Sequence, residues 1–479
     1  MGSALATARI DSPGFPIHLG EGGAISYYTE TLTFIPYRPV AIVPHLLSIL
    51  FYFYFLFYYH FFASPYHSFS YSRLEMAMQR DDALILAEGL ESILNDTTFD
   101  VSALDYSTRR RLTEAARKLA LATEAPGDTV HRIAHSSFQL PIALIGVETG
   151  LFDVLSGLKG APATNAELAA KTGVEPALLK RLLRYYQSFG IVSQLGDDLY
   201  GANNITRALV TLGGRSALPF IHSAVAPAVN AMPQFLRETK YADMTDQTHL
   251  PWHLGHNEDT TESVFKWVLE RPEVMKSFMG WMAGQRDGLP SFLSVVDFDA
   301  EFASGARPGA PVFVDVGGSM GHQCIAVRQR YPDLAGRIVL QDLPETIERV
   351  KADPLPGFDG IEAQPYNFFT PQPLIGARAY YLRNVLHDWT EDKCVEILGN
   401  IKPALAAESR ILVDEMILPE SGTPWRAAQQ DMIMGACIAA RERTRDEWLA
   451  LFDRAGLRVE RMWKYTEELS DHLIALVPK

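Results

Sequence analysis

The chain has 479 residues, with 43 Lys and Arg against 57 Asp and Glu, a net charge of −14, 47% hydrophobic and 21% charged residues. That length and balance exclude collagen-like, coiled-coil and disordered classes, leave room for about two to four domains, and argue against nucleic acid held by charge alone. Cys324, Cys394 and Cys437 stand far apart with no C-x-x-C pair, which disfavours a zinc knuckle or a disulfide framework and fits a reducing, cytoplasmic compartment.

In chain order, the first anomaly is the run Val40 to Ala63, which carries no charged residue. At 1.5 Å per residue it is long enough to cross ~30 Å of hydrocarbon. It lies too far from Met1, and lacks the basic start and the small-residue cleavage site, to read as a secretory signal. Three readings stand for residues 1–75: a membrane anchor, a buried apolar extension, or a non-functional leader ahead of a start at Met76 or Met78. Membrane contact is expected only through residues 40–63.

Asp82 to Ala122 spaces Leu84, Leu86, Leu90, Ile93 and Leu94 as two helices would. A helix is then expected through LPIALIGVETGLFDVL. Thr164 and Glu167 form a capping box, and Gly173 closes the short helix that follows. The next helix starts at Pro176 and presents Leu178, Leu179, Leu182 and Leu183. GIVSQLGDDLYGA then reads as a strand pair. The unit has the order of a winged helix, but Asp197 and Asp198 occupy the turn where DNA would require cations. A packing or dimerisation module over 76–225 is the better expectation. Trp252, Phe265, Trp267, Met275, Phe278, Met279, Trp281 and Met282 follow as an aromatic and Met stripe, either core or the wall of an aromatic-substrate pocket.

From there, within 226–479, strand and helix alternate: PVFVDVG, RIVLQDL, RAYYLR, RILVDEMIL, LRVERMWKY and HLIALVP are strands, and GHQCIAVRQRY, ETIERVKA, EDKCVEILGNIKPAL and TRDEWLALFDRAG are helices. This is an α/β pattern with a parallel sheet, whose ligands sit at the carboxyl ends of the strands. The first strand ends in Gly317-Gly318-Ser319-Met320-Gly321, where glycine lets the backbone turn sharply toward a ligand. The second ends in Asp342, whose carboxylate can accept both hydroxyls of a ribose or instead cap the next helix. The third strand end carries Asn367 and Phe368, suited to an adenine edge and face or to a turn beside core aromatics. His387, just past RAYYLR, is placed as either a core histidine or a general base. Asp388 with Glu391 reads as a capping box for the following helix.

The ordered set VDVGGSMGH, LQDLPE, YNFF, YLRNVLHDW, ILVDEMILPE and ARERTRDEW resembles the class I S-adenosylmethionine-dependent O-methyltransferases related to caffeate O-methyltransferase, especially fungal members that methylate polyketides. The resemblance covers Phe138 to Lys479. It implies a winged-helix-like dimerisation domain before a Rossmann-like methyltransferase domain, a homodimer, and a small aromatic hydroxylated substrate. By the same resemblance His387 is the catalytic base, Glu415 and Glu442 flank it, and Gly317, Gly318, Asp342, Asn367, Phe368 and Arg383 line the cofactor; no metal is implied. Ser319 replaces the family's third glycine, Asn367 its usual Asp, and Arg383 the Lys of plant members.

The residues agree with this chemistry. A sulfonium cofactor has no pyrophosphate, so a G-G-S-M-G turn suffices where a dinucleotide needs three glycines. A phenol titrates near pH ~10 and needs a base at neutral pH. Glu415 is expected to fix the imidazole tautomer, with Glu442 either helping or pairing with Arg443 or Arg445. The rival expectation is a catalytically silent methyltransferase-fold binding or regulatory protein.

Overall fold

The computed structural model describes residues 80–95, 103–258, 263–307 and 309–479; the apolar run 40–63 lies outside them. The chain forms two compact units, Met1–Leu121 and Ala122–Lys479. In the first, the described residues are helical at Arg80–Asn95 and from Tyr106, the start of a helix that runs to Thr123. These are the two helices that the leucine spacing predicts.

The second unit opens with the helix Pro126–Ala134, which buries no residue. LPIALIGVETGLFDVL is two helices rather than one, Gln139–Glu148 and Leu151–Gly157, because Gly150 takes a left-handed φ of 67°. The chain bends by 61° there, and among the described residues no single helix is long and apolar enough to cross a membrane. A small antiparallel sheet follows, with β1 (Ala163–Thr164), β2 (Ser193–Gly196) and β3 (Leu199–Gly201) in the order β1-β3-β2. Thr164 and Glu167 form the expected capping box, and Gly173 ends that helix at φ 72°. The helix Pro176–Ser188 buries Leu179, Leu182, Leu183 and Tyr186, a 3–4 spacing that leaves Leu178 outside.

The larger sheet contains β4 (Pro311–Val316), β5 (Arg337–Asp342), β6 (Ile361–Pro365), β7 (Ala379–Arg383), β8 (Arg410–Leu418), β9 (Arg443–Thr444), β10 (Leu457–Lys464) and β11 (Asp471–Pro478). Its order is β10-β11-β8-β7-β4-β5-β6, with the two-residue β9 added to the end of β8. β4 to β8 run parallel, and β11 enters antiparallel beside β8. Alternate residues face opposite layers, so Val314, Tyr380, Leu382, Ile411 and Val413 pack with Ile397, Leu398, Trp448 and Phe452. Phe313, Leu340, Tyr381 and Leu412 pack with Phe292, Phe298 and Val327 on the other face. Both faces are covered, which is why the central strands are almost continuously apolar.

The aromatic stripe divides. Trp252 and Trp267 are buried and meet edge-on at 5.1 Å, whereas Phe265 and Met282 remain exposed. The helix Trp425–Ile438 is not among the elements that the sequence predicts, because its buried positions are Ala427, Met434, Gly435, Ala436 and Cys437 rather than a Leu or Ile stripe.

Candidate active site

The sheet decides where a ligand can sit. The chain runs from β4 outward through β5 and β6, then returns to the other side of β4 as β7. The crevice at such a reversal opens at the carboxyl ends of the two diverging strands. Those ends carry Gly317 after β4 and the turn Asn384 to Asp388 after β7.

At the first of these ends the backbone makes the surface. Gly317 and Gly318 both donate to the carbonyl of Gln341, at 2.8 and 3.3 Å, which folds the turn back over β5. Gly317 has φ 73°, and a side chain there would stand 3.1 Å from Val385 and 3.6 Å from Phe368. At Gly318 a Cβ would overlap the Asp315 carboxyl at 2.4 Å. Ser319 adopts φ 53°, a left-handed conformation that costs a non-glycine residue about 1–2 kcal/mol. Its N–H donates to Asp342 Oδ2 at 2.8 Å, and Asp342 Oδ1 accepts the Leu343 N–H at 2.8 Å. The helix Pro344–Ala352 is capped at Leu343 with no side-chain bond, so Asp342 belongs to the glycine turn. Asn367 is exposed, and its Oδ1 accepts the Phe369 N–H at 3.0 Å; Phe368 is half-buried, edge-on to Trp389. The structure thus brings Gly317, Phe368 and the base of the His387 turn together. Arg383 is turned elsewhere, ion-paired with Asp414 at 3.0 Å.

At the other end buried side chains make the site. His387 is 7% exposed, and Glu415 and Glu442 are 0% and 3% exposed. Glu442 Oε1 lies 2.9 Å from His387 Nδ1. Glu415 stands farther from the ring, with Oε2 at 3.9 Å from Nδ1, while its Oε1 accepts the backbone N–H groups of Val385, Leu386 and His387 at 3.0, 2.9 and 3.3 Å. The orienting contact that the sequence reading gives to Glu415 is thus made by Glu442, which that reading has only as a helper or as an arginine's partner. Glu442 orients the imidazole, and pairs with neither Arg443 nor Arg445 in doing so; Glu415 holds the turn that carries it. Three consecutive N–H groups converging on one carboxylate oxygen form an anion nest, which fixes the backbone more firmly than a single bond would.

Asp388 is also not the cap that its spacing to Glu391 suggests. The helix Glu391–Ile401 is capped at Thr390, and Asp388 ends a 3-10 turn with Oδ1 3.4 Å from His387 Nε2. Burial opposes a charged imidazole, but Glu442, Glu415 and Asp388 together outweigh it and push His387 up to about 10. Burial lifts Glu415 to about 7, against the pull of His387. A carboxylate only accepts, so the proton on Nδ1 faces Glu442, and the second nitrogen, Nε2, is turned toward Asp388 Oδ1.

Several members of the site escape sequence reasoning. Asp414, 1% exposed, accepts from Tyr381 and Tyr465 hydroxyls and from Arg383. Arg286 reaches Asp471 at 2.5 Å and Asn384 at 3.4 Å. The available signal was Asp414-Glu415 inside the apolar strand RILVDEMIL, since adjacent acids in a buried strand need partners on both faces.

Residues 263–458 match the O-methyltransferase domain and residues 140–212 the O-methyltransferase dimerisation domain. O-methyltransferase lepI of Aspergillus flavus is 37% identical over 363 residues, covering 76% of this chain and 92% of that protein. The chain belongs to the S-adenosylmethionine-dependent O-methyltransferases. Demethylsterigmatocystin 6-O-methyltransferase of Aspergillus parasiticus is 34% identical over 390 residues, 81% of this chain and 98% of that one. A solved LepI complex with SAM matches with a TM-score of 0.76 at 34% identity, over 83% of this chain and 100% of its own. A structure described as that of a pericyclic reaction enzyme matches with the same TM-score, identity and coverage.

The methyltransferase's first turn suits S-adenosylmethionine, its family's cofactor. Asp342 already occupies the Ser319 N–H, the kind of donor a pyrophosphate would need, and so disfavours an anionic ligand. Beneath the turn Asp315 is fully buried with Oδ1 unpartnered, and burial pushes its carboxyl up to about 7. A turn with no room for a Cβ at Gly318 and the Asp342 carboxylate at its edge fit a ligand held close to the backbone.

Proposed function

We propose that this enzyme methylates a hydroxyl of an aromatic, polyketide-like or phenolic small molecule, with His387 as general base. The fold alone does not carry that reading, since one structure sharing it is described as a pericyclic reaction enzyme. The observation that does is the buried His387–Glu442 pair at 2.9 Å, set beside the glycine turn at the reversal of the sheet. Methyl transfer to an oxygen of a small molecule is supported by a relative named demethylsterigmatocystin 6-O-methyltransferase.

When bound, S-adenosylmethionine supplies a methyl group on a cationic sulfur. Gly317 and Gly318 give it backbone room, Asp342 the lone pairs for its ribose, Asn367 and Phe368 an edge and a face for its adenine, and Arg383 braces Asp414 behind them. The acceptor hydroxyl gives its proton to His387 Nε2 as its oxygen becomes the nucleophile. Glu442 keeps the other proton on Nδ1 and stabilises the imidazolium that forms. Because the acids favour imidazolium, a proton must leave the His387–acceptor pair before turnover, and kcat/KM rises with pH toward an alkaline plateau.

Residues 76–225 serve on this reading as the dimerisation module of a homodimer and 226–479 as the methyltransferase domain. The dimer is supported by the matched dimerisation segment and by Val130, Ile133 and Phe138, which are 67%, 63% and 52% exposed. The deciding experiment incubates His387→Ala and the parent enzyme with labelled cofactor and a panel of phenols. Loss of transfer by about 10²–10⁴-fold with cofactor affinity retained supports the base; unchanged turnover rejects it, and a parent enzyme that binds cofactor without any methylated product favours the silent binding protein.

A further inference from the structure

Among the described residues Arg443 is a buried cation, at 1% exposure, and no step above uses it. It follows Glu442 directly and lies in β9, registered on β8 at Ile417, two residues past Glu415. Its Nη1 donates to the carbonyl of Leu386 at 3.0 Å and its Nη2 to that of Trp389 at 2.7 Å. Those two carbonyls bracket His387 and Asp388. The Cys394 thiol shares them, at 3.1 and 3.5 Å. Arg443 Nε faces Glu391 at 3.4 Å, and the guanidinium lies 5.0 Å from the Trp448 ring centre.

The turn is therefore gripped from both polarities. Glu415 gathers three of its N–H groups on one side, and Arg443 holds its carbonyls on the other. Only a planar, forked cation reaches two carbonyls at once while keeping a face for Trp448 and an edge for Glu391; a lysine has a single point of charge. A cation buried with such a complete set of partners is expensive to place, and its donors are spent on the backbone of one turn.

We propose that Arg443 is a positioning residue for methyl transfer, locking the Leu386–Trp389 turn so that the His387 ring meets Glu442 and faces the acceptor. This rests on His387 being the base. The consequence is specific: loosening the turn separates the ring from Glu442, Glu415 and Asp388, the charged groups that face it, while the bonds from Ser319 and Leu343 to Asp342 involve none of them.

The test compares Arg443→Lys and Arg443→Met in the full-length enzyme, measuring kcat, KM, cofactor affinity, thermal midpoint and the pH dependence of kcat/KM. Arg443→Lys is expected to fold, to bind cofactor within about threefold of the parent, and to lose 10-fold to 100-fold in kcat with little change in KM. Arg443→Met falls further, so that lysine gives partial rescue. In both, the rising limb of the pH profile moves to lower pH, because the imidazolium loses its acidic neighbours. Activity that falls only in proportion to the folded fraction, with an unmoved limb, overturns the proposal. Should Arg443→Met not fold, the limb in Arg443→Lys decides alone. The His387 ring titration followed by NMR separates the two failures: turnover retained in His387→Ala overturns the base and with it the catalytic role of Arg443, whereas an unshifted ring titration in Arg443→Lys overturns the positioning itself.

Discussion

The two ends of the crevice are built from opposite materials. Around Gly317 to Ser319 the backbone does the shaping, side chains are small or absent, and Asn367 and Ser319 stay exposed. Around His387 the backbone is a 3-10 turn that follows Asn384, itself left-handed at φ 49°, and charged side chains in the interior do the shaping: Glu415 on its N–H groups, Arg443 on its carbonyls, Glu442 on the ring. On the proposed function, the difference follows from what each end handles. A ligand that enters and leaves needs a surface with free lone pairs and no side chain in the way. A proton acceptor needs a ring held within a few tenths of an ångström, which buried charge-assisted hydrogen bonds supply at the cost of desolvation.

This contrast predicts that substitutions at the base end alter kcat and leave cofactor affinity, and that those at the cofactor end do the reverse. The largest effect is expected from Glu415→Ala, which leaves three buried N–H groups unpaired. About 3 kcal/mol of stability and nearly all turnover should go, as denaturant titration and a labelled-methyl assay would read. Next, Glu442→Gln should lower kcat by about 10²-fold. It removes a negative charge from beside the imidazolium, so the charged ring is less favoured, its pKa falls, and the rising limb of kcat/KM against pH moves down. A limb that moves up would break the assignment of Glu442.

Asp342→Ala should weaken cofactor binding by about 10-fold to 100-fold, read by calorimetry, with kcat at saturating cofactor near the parent value. A kcat loss at saturation would show that the two ends are not separable. Smallest is Ser319→Gly, which relieves a left-handed φ at the cost of some unfolded-state entropy. A gain of about 1 kcal/mol or less in thermal stability is expected, with cofactor affinity equal or better.

Most of the cofactor end is legible in the sequence, because glycines and an acid that ends a strand are local signals. Gly317, Gly318 and Asp342 lie where the strand pattern places them, and the tight contacts under Gly318 explain why no larger residue serves. The base end is legible in membership but not in roles. His387 follows β7, Glu415 lies in β8 and Glu442 immediately precedes β9, and which glutamate touches the ring depends on how β8 and β9 register, which periodicity does not reveal. Asp388 shows the same limit. Its spacing to Glu391 is that of a capping box, but the tertiary turn places it beside Nε2 instead.

By itself the sequence determines the alternation of strands and helices and the glycine turn, since each of these rests on neighbours within a few residues. Only the tertiary structure decides that Glu442 orients His387, that Glu415 and Arg443 hold the turn between them, and that Arg383 is committed to Asp414. Those are contacts across 28 to 57 residues of chain, and their geometry is set by the packing of β7, β8 and β9 rather than by any local preference.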